Sequence, residues 1–314
     1  MSKQGAHTMT STTRRALLAA PLLLMPFAHA AWAATPTATP PLIGPQQLKA
    51  MLGKPNVVIL DATARQYYMR AHIPGAVFTD YGRWRVKMGD VKGMLPPVER
   101  MEKFIGAHGI GNDDHVIIVP LGFSAGDLGV ATRIFWTFKV LGHDKVSILN
   151  GGMAGWVDKR LPLDARPVRP APKTFKARLD RRWLATPEEV EKALNDNSAL
   201  LIDNRPPGQH LGVLKPGSVA QPGTIPGSVN VPEQWLAPKG RLLAKDKLAK
   251  LHRLLKADAD TPAINFCNTG HRASLGWFVR SQILGKPAKL YDGSMAEWSR
   301  LPGKPVRAKL DLAK

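Results

Sequence analysis

Two stretches of this chain carry the same series of motifs in the same order, and an internal repeat of that kind restricts the fold more than any single motif. The first runs Val57-Val58-Ile59-Leu60-Asp61-Ala62-Thr63-Ala64-Arg65, then His72-Ile73-Pro74-Gly75-Ala76-Val77, and closes on Asn150-Gly151-Gly152-Met153-Ala154-Gly155-Trp156. The second answers with Leu200-Leu201-Ile202-Asp203-Asn204-Arg205, Gly223-Thr224-Ile225-Pro226-Gly227-Ser228-Val229 and Tyr291-Asp292-Gly293-Ser294-Met295-Ala296-Glu297-Trp298. Two copies of one domain are therefore expected head to tail, over residues 42–165 and 183–306. In each, short β-rich apolar runs alternate with helical stretches. That is the pattern of an α/β fold whose parallel sheet is covered on both faces. In the second copy the strands are expected near 199–203, 228–231, 263–267 and 288–291, with the site at their carboxyl ends.

Residues 166–182, with Pro167, Pro170 and Pro172, read as an extended linker lying across the surface of one half. A helix is expected after it, because Thr186-Pro187-Glu188-Glu189 has the hydroxyl, the first-turn proline and the returning carboxylate of a capping box.

Residues 1–33 are of another kind. Arg14-Arg15 precedes the apolar run Ala16–Met25, which leads to small-residue sites at Ala28-His29-Ala30 and Ala31-Trp32-Ala33. This is the layout of a signal peptide. The run is too short, and too broken by Pro21 and Pro26, for a permanent membrane span. Thr13-Arg14-Arg15-Ala16-Leu17-Leu18 resembles a twin-arginine export signal, with a plain secretory signal as the alternative, so a periplasmic location is expected.

The chain has a formal charge of +20, which suits nucleic acid, an anionic surface or a small anionic substrate. Its basic residues are scattered and follow no nucleic-acid motif, which argues against a nucleic-acid partner. The nine histidines are dispersed and a single cysteine cannot build a thiolate cluster, so neither metal nor cofactor is expected. Trp136, Trp156, Trp277 and Trp298 read as core residues.

That single cysteine, Cys267, opens the segment Cys267-Asn268-Thr269-Gly270-His271-Arg272. The segment lies between the apolar run Ala263–Phe266 and a stretch in which Leu275, Trp277, Phe278, Ile283 and Leu284 recur at helical spacing. A thiol at such a strand-to-helix turn faces backbone N–H groups and the positive end of a helix, which favour a thiolate nucleophile. The alternative is a small buried apolar residue. In an oxidising compartment an unpaired thiol is easier to explain if the sulfur has chemical work.

The duplicated halves, the Asp203-Asn204-Arg205 strand end, the two Ile-Pro-Gly turns, the Cys267 loop and the Asp292-Gly293-Ser294…Trp298 ending resemble the tandem-domain rhodanese sulfurtransferases. The resemblance implies a silent first half and a catalytic second one. It implies that Cys267 takes a sulfane sulfur from thiosulfate as a persulfide and yields it to cyanide or a thiol. It also implies that Arg205 binds the anionic end of the donor, and that the N–H groups of Asn268, Thr269, Gly270, His271 and Arg272 cradle the persulfide. Asp203 is expected to orient the loop or Arg205. Arg272 either adds charge or braces the loop, and His271 is expected to face solvent. An offset of 142, set by Trp156 and Trp298, places Ala125 opposite Cys267.

The animal thiosulfate enzymes carry charged residues directly after the cysteine, where this chain has Asn268 and Thr269. 3-Mercaptopyruvate is therefore the alternative donor. A non-catalytic exported carrier handing sulfur to a protein acceptor is a second alternative. A cysteine phosphatase is disfavoured, since four residues rather than five separate Cys267 from Arg272.

Overall fold

The computed structural model describes residues 39–310, so the segment read as a signal peptide lies outside the described residues. The described residues form twelve short strands. The first half contributes β1 (Leu42–Ile43), β2 (Val57–Asp61), β3 (Val77–Phe78), β4 (Val86–Met88), β5 (Val91–Met94), β6 (His115–Val119) and β7 (Val146–Leu149). The second contributes β8 (Leu184–Ala185), β9 (Leu200–Asp203), β10 (Val229–Asn230), β11 (Ala263–Phe266) and β12 (Ala288–Tyr291).

The two main sheets are wholly parallel and have the same order, β1-β7-β6-β2-β3 and β8-β12-β11-β9-β10. Their strands are apolar runs covered by helices, which is why the halves read as α/β from sequence. All four expected second-half strands hold to within a residue at each end. They are β9, β10, β11 and β12, the third stopping at Phe266 and leaving Cys267 just beyond it. The edge strand β8 escaped prediction because two residues carry no periodicity. Only the first half has the antiparallel hairpin β4–β5. After β10 the second half forms instead the short helix Glu233–Leu236 and the turn Pro238–Gly240.

Residues 173–180 run along the first half: Lys173 N–H donates to Gly106 O (3.0 Å), Arg178 N–H to Leu141 O (3.0 Å) and Asp180 N–H to Val140 O (2.8 Å). The capping box then forms as written in the sequence, with Glu189 N–H donating to Thr186 Oγ1 and Thr186 N–H to Glu189 Oε2.

The halves meet through corresponding helices, Ala125–Val140 and His271–Phe278. Phe135 sets its ring edgewise to Phe278 at 5.0 Å, and the Thr132 and Ser274 hydroxyls lie 2.8 Å apart. One hydrophobic cluster runs across this contact, joining Leu128, Ala131 and Phe135 to Leu275, Trp277 and Phe278. Trp136, Trp156, Trp277 and Trp298 are all fully buried. Truncating an aromatic ring at such a site removes its burial and leaves a void. Phe135→Ala should therefore lower the stability of the whole chain by about 3–5 kcal/mol, as read from urea unfolding.

Candidate active site

Cys267 follows the central strand β11, whose four residues are all buried, and precedes the helix His271–Phe278. The turn between them needs Gly270. Its φ is +72°, and a Cβ there would collide with the guanidinium of Arg133. Ser294 closes the loop from the other side: its Oγ accepts from Cys267 N–H (3.1 Å) and Gly270 N–H (3.2 Å) and donates to Tyr291 O (2.8 Å). Met295 N–H and Ala296 N–H hold the carbonyls of Cys267 and Asn268 at 3.0 and 2.9 Å. Among the described residues, none of the N–H groups of Asn268, Thr269, His271 and Arg272 meets a protein acceptor. The loop is thus fixed in shape while its donors stay free, the arrangement of an anion nest. Gly270 supplies the turn and not a donor, since Ser294 takes its N–H.

The thiol itself is only 1% exposed. Thr269, two residues on, forms part of the wall of a cavity of about 440 Å³ with Arg85, Val86, Lys87, Lys92, Gly93 and Ser218.

Arg205 does not reach for a donor. Its guanidinium is 1% exposed and turns back on Asp203, with Nε at 2.9 Å and Nη2 at 2.7 Å from the carboxylate, while Nη2 also donates to Gly223 O at 2.8 Å. The reason is local: at the end of β9 a fully buried carboxylate demands a counter-charge, and the arginine two residues on supplies it. Asp203 further accepts from Thr224 Oγ1 (2.8 Å) and lies 3.0 Å from His210 Nδ1. Burial opposes its charge, but the hydrogen bonds from His210 and Arg205 outweigh it and hold the carboxyl at about 2. Asp203 thus pairs with Arg205 at the end of β9.

Arg272 is spoken for as well, since its Nε donates to Glu233 Oε1 at 2.5 Å. It braces the loop against the Glu233–Leu236 helix. Asn268 Nδ2 donates to Gln209 Oε1 at 2.8 Å. His271 is half-buried between the two halves. Its Nδ1 lies 2.6 Å from Tyr81 Oη, its ring sits against Gly129 of the first half, and burial among Arg85, Arg272 and Arg133 pushes its pKa down to about 3. It stays neutral at physiological pH.

Sequence reading missed what the first half gives to this loop. Arg133 is fully buried, its Nη2 lies 2.5 Å from Asp292 Oδ1 and donates to Gly93 O (3.1 Å), and Asp292 Oδ2 accepts from Leu95 N–H (2.6 Å). Arg85 Nη2 donates to both Thr269 O (3.0 Å) and Thr269 Oγ1 (2.8 Å). One signal existed: Arg133 is a cation in the otherwise apolar stretch Ile134-Phe135-Trp136.

The first half holds the same turn without a thiol. Met153 N–H and Ala154 N–H donate to Pro120 O and Leu121 O just as Met295 and Ala296 donate to Cys267 and Asn268, so Pro120 stands opposite the thiol, not Ala125. The offset of 142 fits Asp61 and Asp203 at one end and the tryptophans at the other. It fails between them because the second half has five more residues from the end of β9 to the end of its central strand, and the first half has five more from the end of its central strand to the start of the next, so the two differences cancel at the ends. In that half the Asp127 carboxylate accepts from Phe123 N–H (3.0 Å) and Ser124 N–H (2.9 Å), so the loop is filled by its own side chain.

A family model described as the rhodanese-like domain matches residues 44–159 and again 186–301. The chain is 35% identical over 258 residues to a thiosulfate sulfurtransferase of Bos taurus, covering 78% of this chain and 85% of that protein. It is 32% identical over 293 residues to a 3-mercaptopyruvate sulfurtransferase of Homo sapiens, covering 90% and 94%. Among solved structures it resembles SseA of Escherichia coli, a 3-mercaptopyruvate sulfurtransferase, with a TM-score of 0.73 and 29% identity over 82% of this chain and 99% of that one.

Asp203→Asn leaves the Arg205 charge buried without its counter-ion, and should cost about 3–5 kcal/mol in chemical denaturation. Because the folded-state pKa of Asp203 is depressed, its contribution is present above the unfolded value, about 4, and is lost as pH falls toward 2. The difference between wild type and Asp203→Asn should therefore shrink over that window.

Proposed function

The chain belongs to the rhodanese family, with two rhodanese-like domains in tandem, and on that premise we propose that it is a thiosulfate sulfurtransferase whose working sulfur is Cys267. The supporting observation is the loop that follows the thiol, shaped by Ser294 and lined with N–H groups that no protein atom fills.

The Cys267 thiolate attacks the sulfane sulfur of thiosulfate. A sulfur–sulfur bond forms to the enzyme, the sulfur–sulfur bond of the donor breaks, and sulfite leaves with the electron pair. The product is a persulfide anion. Its negative charge is held by the free N–H groups of Asn268, Thr269, His271 and Arg272, whose dipoles are already oriented and need no reorganisation. Cyanide or a thiolate then attacks the outer sulfur, which departs as thiocyanate or a new persulfide, and the Cys267 thiolate returns. His271, neutral and paired with Tyr81, serves as a fixed wall of the loop and exchanges no proton in this cycle.

3-Mercaptopyruvate is the second donor to test, because the chain covers 94% of the human 3-mercaptopyruvate enzyme and 85% of the bovine thiosulfate enzyme at nearly equal identity. With it the sulfur moves to Cys267 and the proton of the donor thiol ends on the carbon, giving pyruvate. The Arg14-Arg15 signal-like segment supports a periplasmic site of action, with a protein acceptor for the persulfide as a further partner.

Incubation with thiosulfate should add the mass of one sulfur atom to the Cys267 peptide, and thiocyanate should form when cyanide follows. Cys267→Ser should fold normally, as judged by circular dichroism, and lose at least about a thousandfold in turnover. A variant that still transfers sulfur at the wild-type rate would refute the assignment. Loading without release to small acceptors would mark a carrier instead.

A further inference from the structure

A thiosulfate dianion reaching Cys267 needs positive charge near the loop, and the second half has spent its own. Arg205 is closed onto Asp203, Arg272 onto Glu233, and Arg280 is buried on the carbonyls of Ala257, Ala259 and Thr261. The cations that border the loop come from the other half. The hairpin β4–β5 lies against Thr269: Arg85 Nη2 donates to its carbonyl and hydroxyl, and a Cβ built on Gly93 would come within 3.0 Å of the Thr269 Cβ. Gly93 has a φ of +88°, so glycine permits both this backbone and this approach. The hairpin is held in place from beneath, by Arg133 on Gly93 O and by Leu95 N–H on Asp292.

The cavity of about 440 Å³ that Thr269 helps to wall is bounded by Arg85, Lys87 and Lys92. Among the described residues Arg85 and Lys92 take part in no ion pair. Lys87 has only an exposed contact with Asp90 at 3.5 Å, which water and salt screen. Three cations thus face one small cavity beside the reactive loop with almost no carboxylate to neutralise them. Such a concave single-sign surface raises the local concentration of anions. The corresponding stretch of the second half has no hairpin, so the device is specific to the half that has lost its own thiol position to Pro120.

We propose that Arg85, Lys87 and Lys92 form an anion-recruiting rim on the first half that selects negatively charged sulfur donors for Cys267 in the second. The inference rests on the sulfurtransferase reading for its substrate. Its geometry stands apart from that reading.

The test is the double variant Lys87→Gln/Lys92→Gln, whose side chains lie on the hairpin surface. At low ionic strength kcat/KM for thiosulfate should fall about tenfold, and added salt should erase the difference from wild type. In parallel, Cys267 is alkylated with iodoacetate, an anion, and with iodoacetamide, which is neutral. The variant should slow iodoacetate several-fold relative to iodoacetamide. An unchanged ratio of the two rates overturns the rim, as does failure of both reagents to reach Cys267 in the wild type. If the ratio falls but wild type turns over no thiosulfate, the rim stands and the sulfurtransferase reading fails.

Discussion

The site depends on one hydroxyl. Ser294 accepts from the N–H groups of Cys267 and Gly270 at once and donates its own hydrogen bond to Tyr291 O, which draws the two ends of the loop together. Among the described residues, the backbone N–H groups of Asn268 and Thr269 between them meet no protein acceptor. Unfilled N–H groups in a rigid turn are costly in a folded chain unless an anion or water satisfies them. The loop therefore carries a standing demand for negative charge, and the thiol stands at its start.

The first half shows how the same turn looks when the demand is met internally. Asp127 reaches back to the N–H groups of Phe123 and Ser124, and Pro120, which has no N–H to offer, replaces the cysteine. Gly122 fits there at a φ of +96° because a Cβ would strike the carbonyl of Gly151. This half also supplies buried support to the second. The Arg133–Asp292 pair, the edge of Tyr81 on His271 and the Arg85 contact with Thr269 all cross from one half to the other and end on the reactive loop or its brace.

The fold and the position of the thiol were legible because they are written locally. The repeated motifs give two equivalent sheets, the capping box at Thr186 forms between residues three apart, and the apolar run before Cys267 becomes a central strand. Arg205 was misread for an equally local reason. An arginine beyond a strand end looks free in sequence, whereas in three dimensions Asp203 is sealed beneath it and claims its charge first. His271 and Arg272 found partners, Tyr81 and Glu233, that lie 190 and 39 positions away. No periodicity or spacing rule encodes such pairings. The offset error has the same root: a single shift, read from the tryptophans, cannot register two length differences inside the repeat that cancel one another.

The Arg133–Asp292 pair makes the ancestry of this molecule hard to undo. Each partner lies in a different copy and both are shielded from water, with side-chain exposures of 0% and 6%. Neither copy on its own retains a counter-ion for the charge it would then bear. The two copies are thereby mutually obligate, because pulling them apart would leave each of these buried charges without its partner.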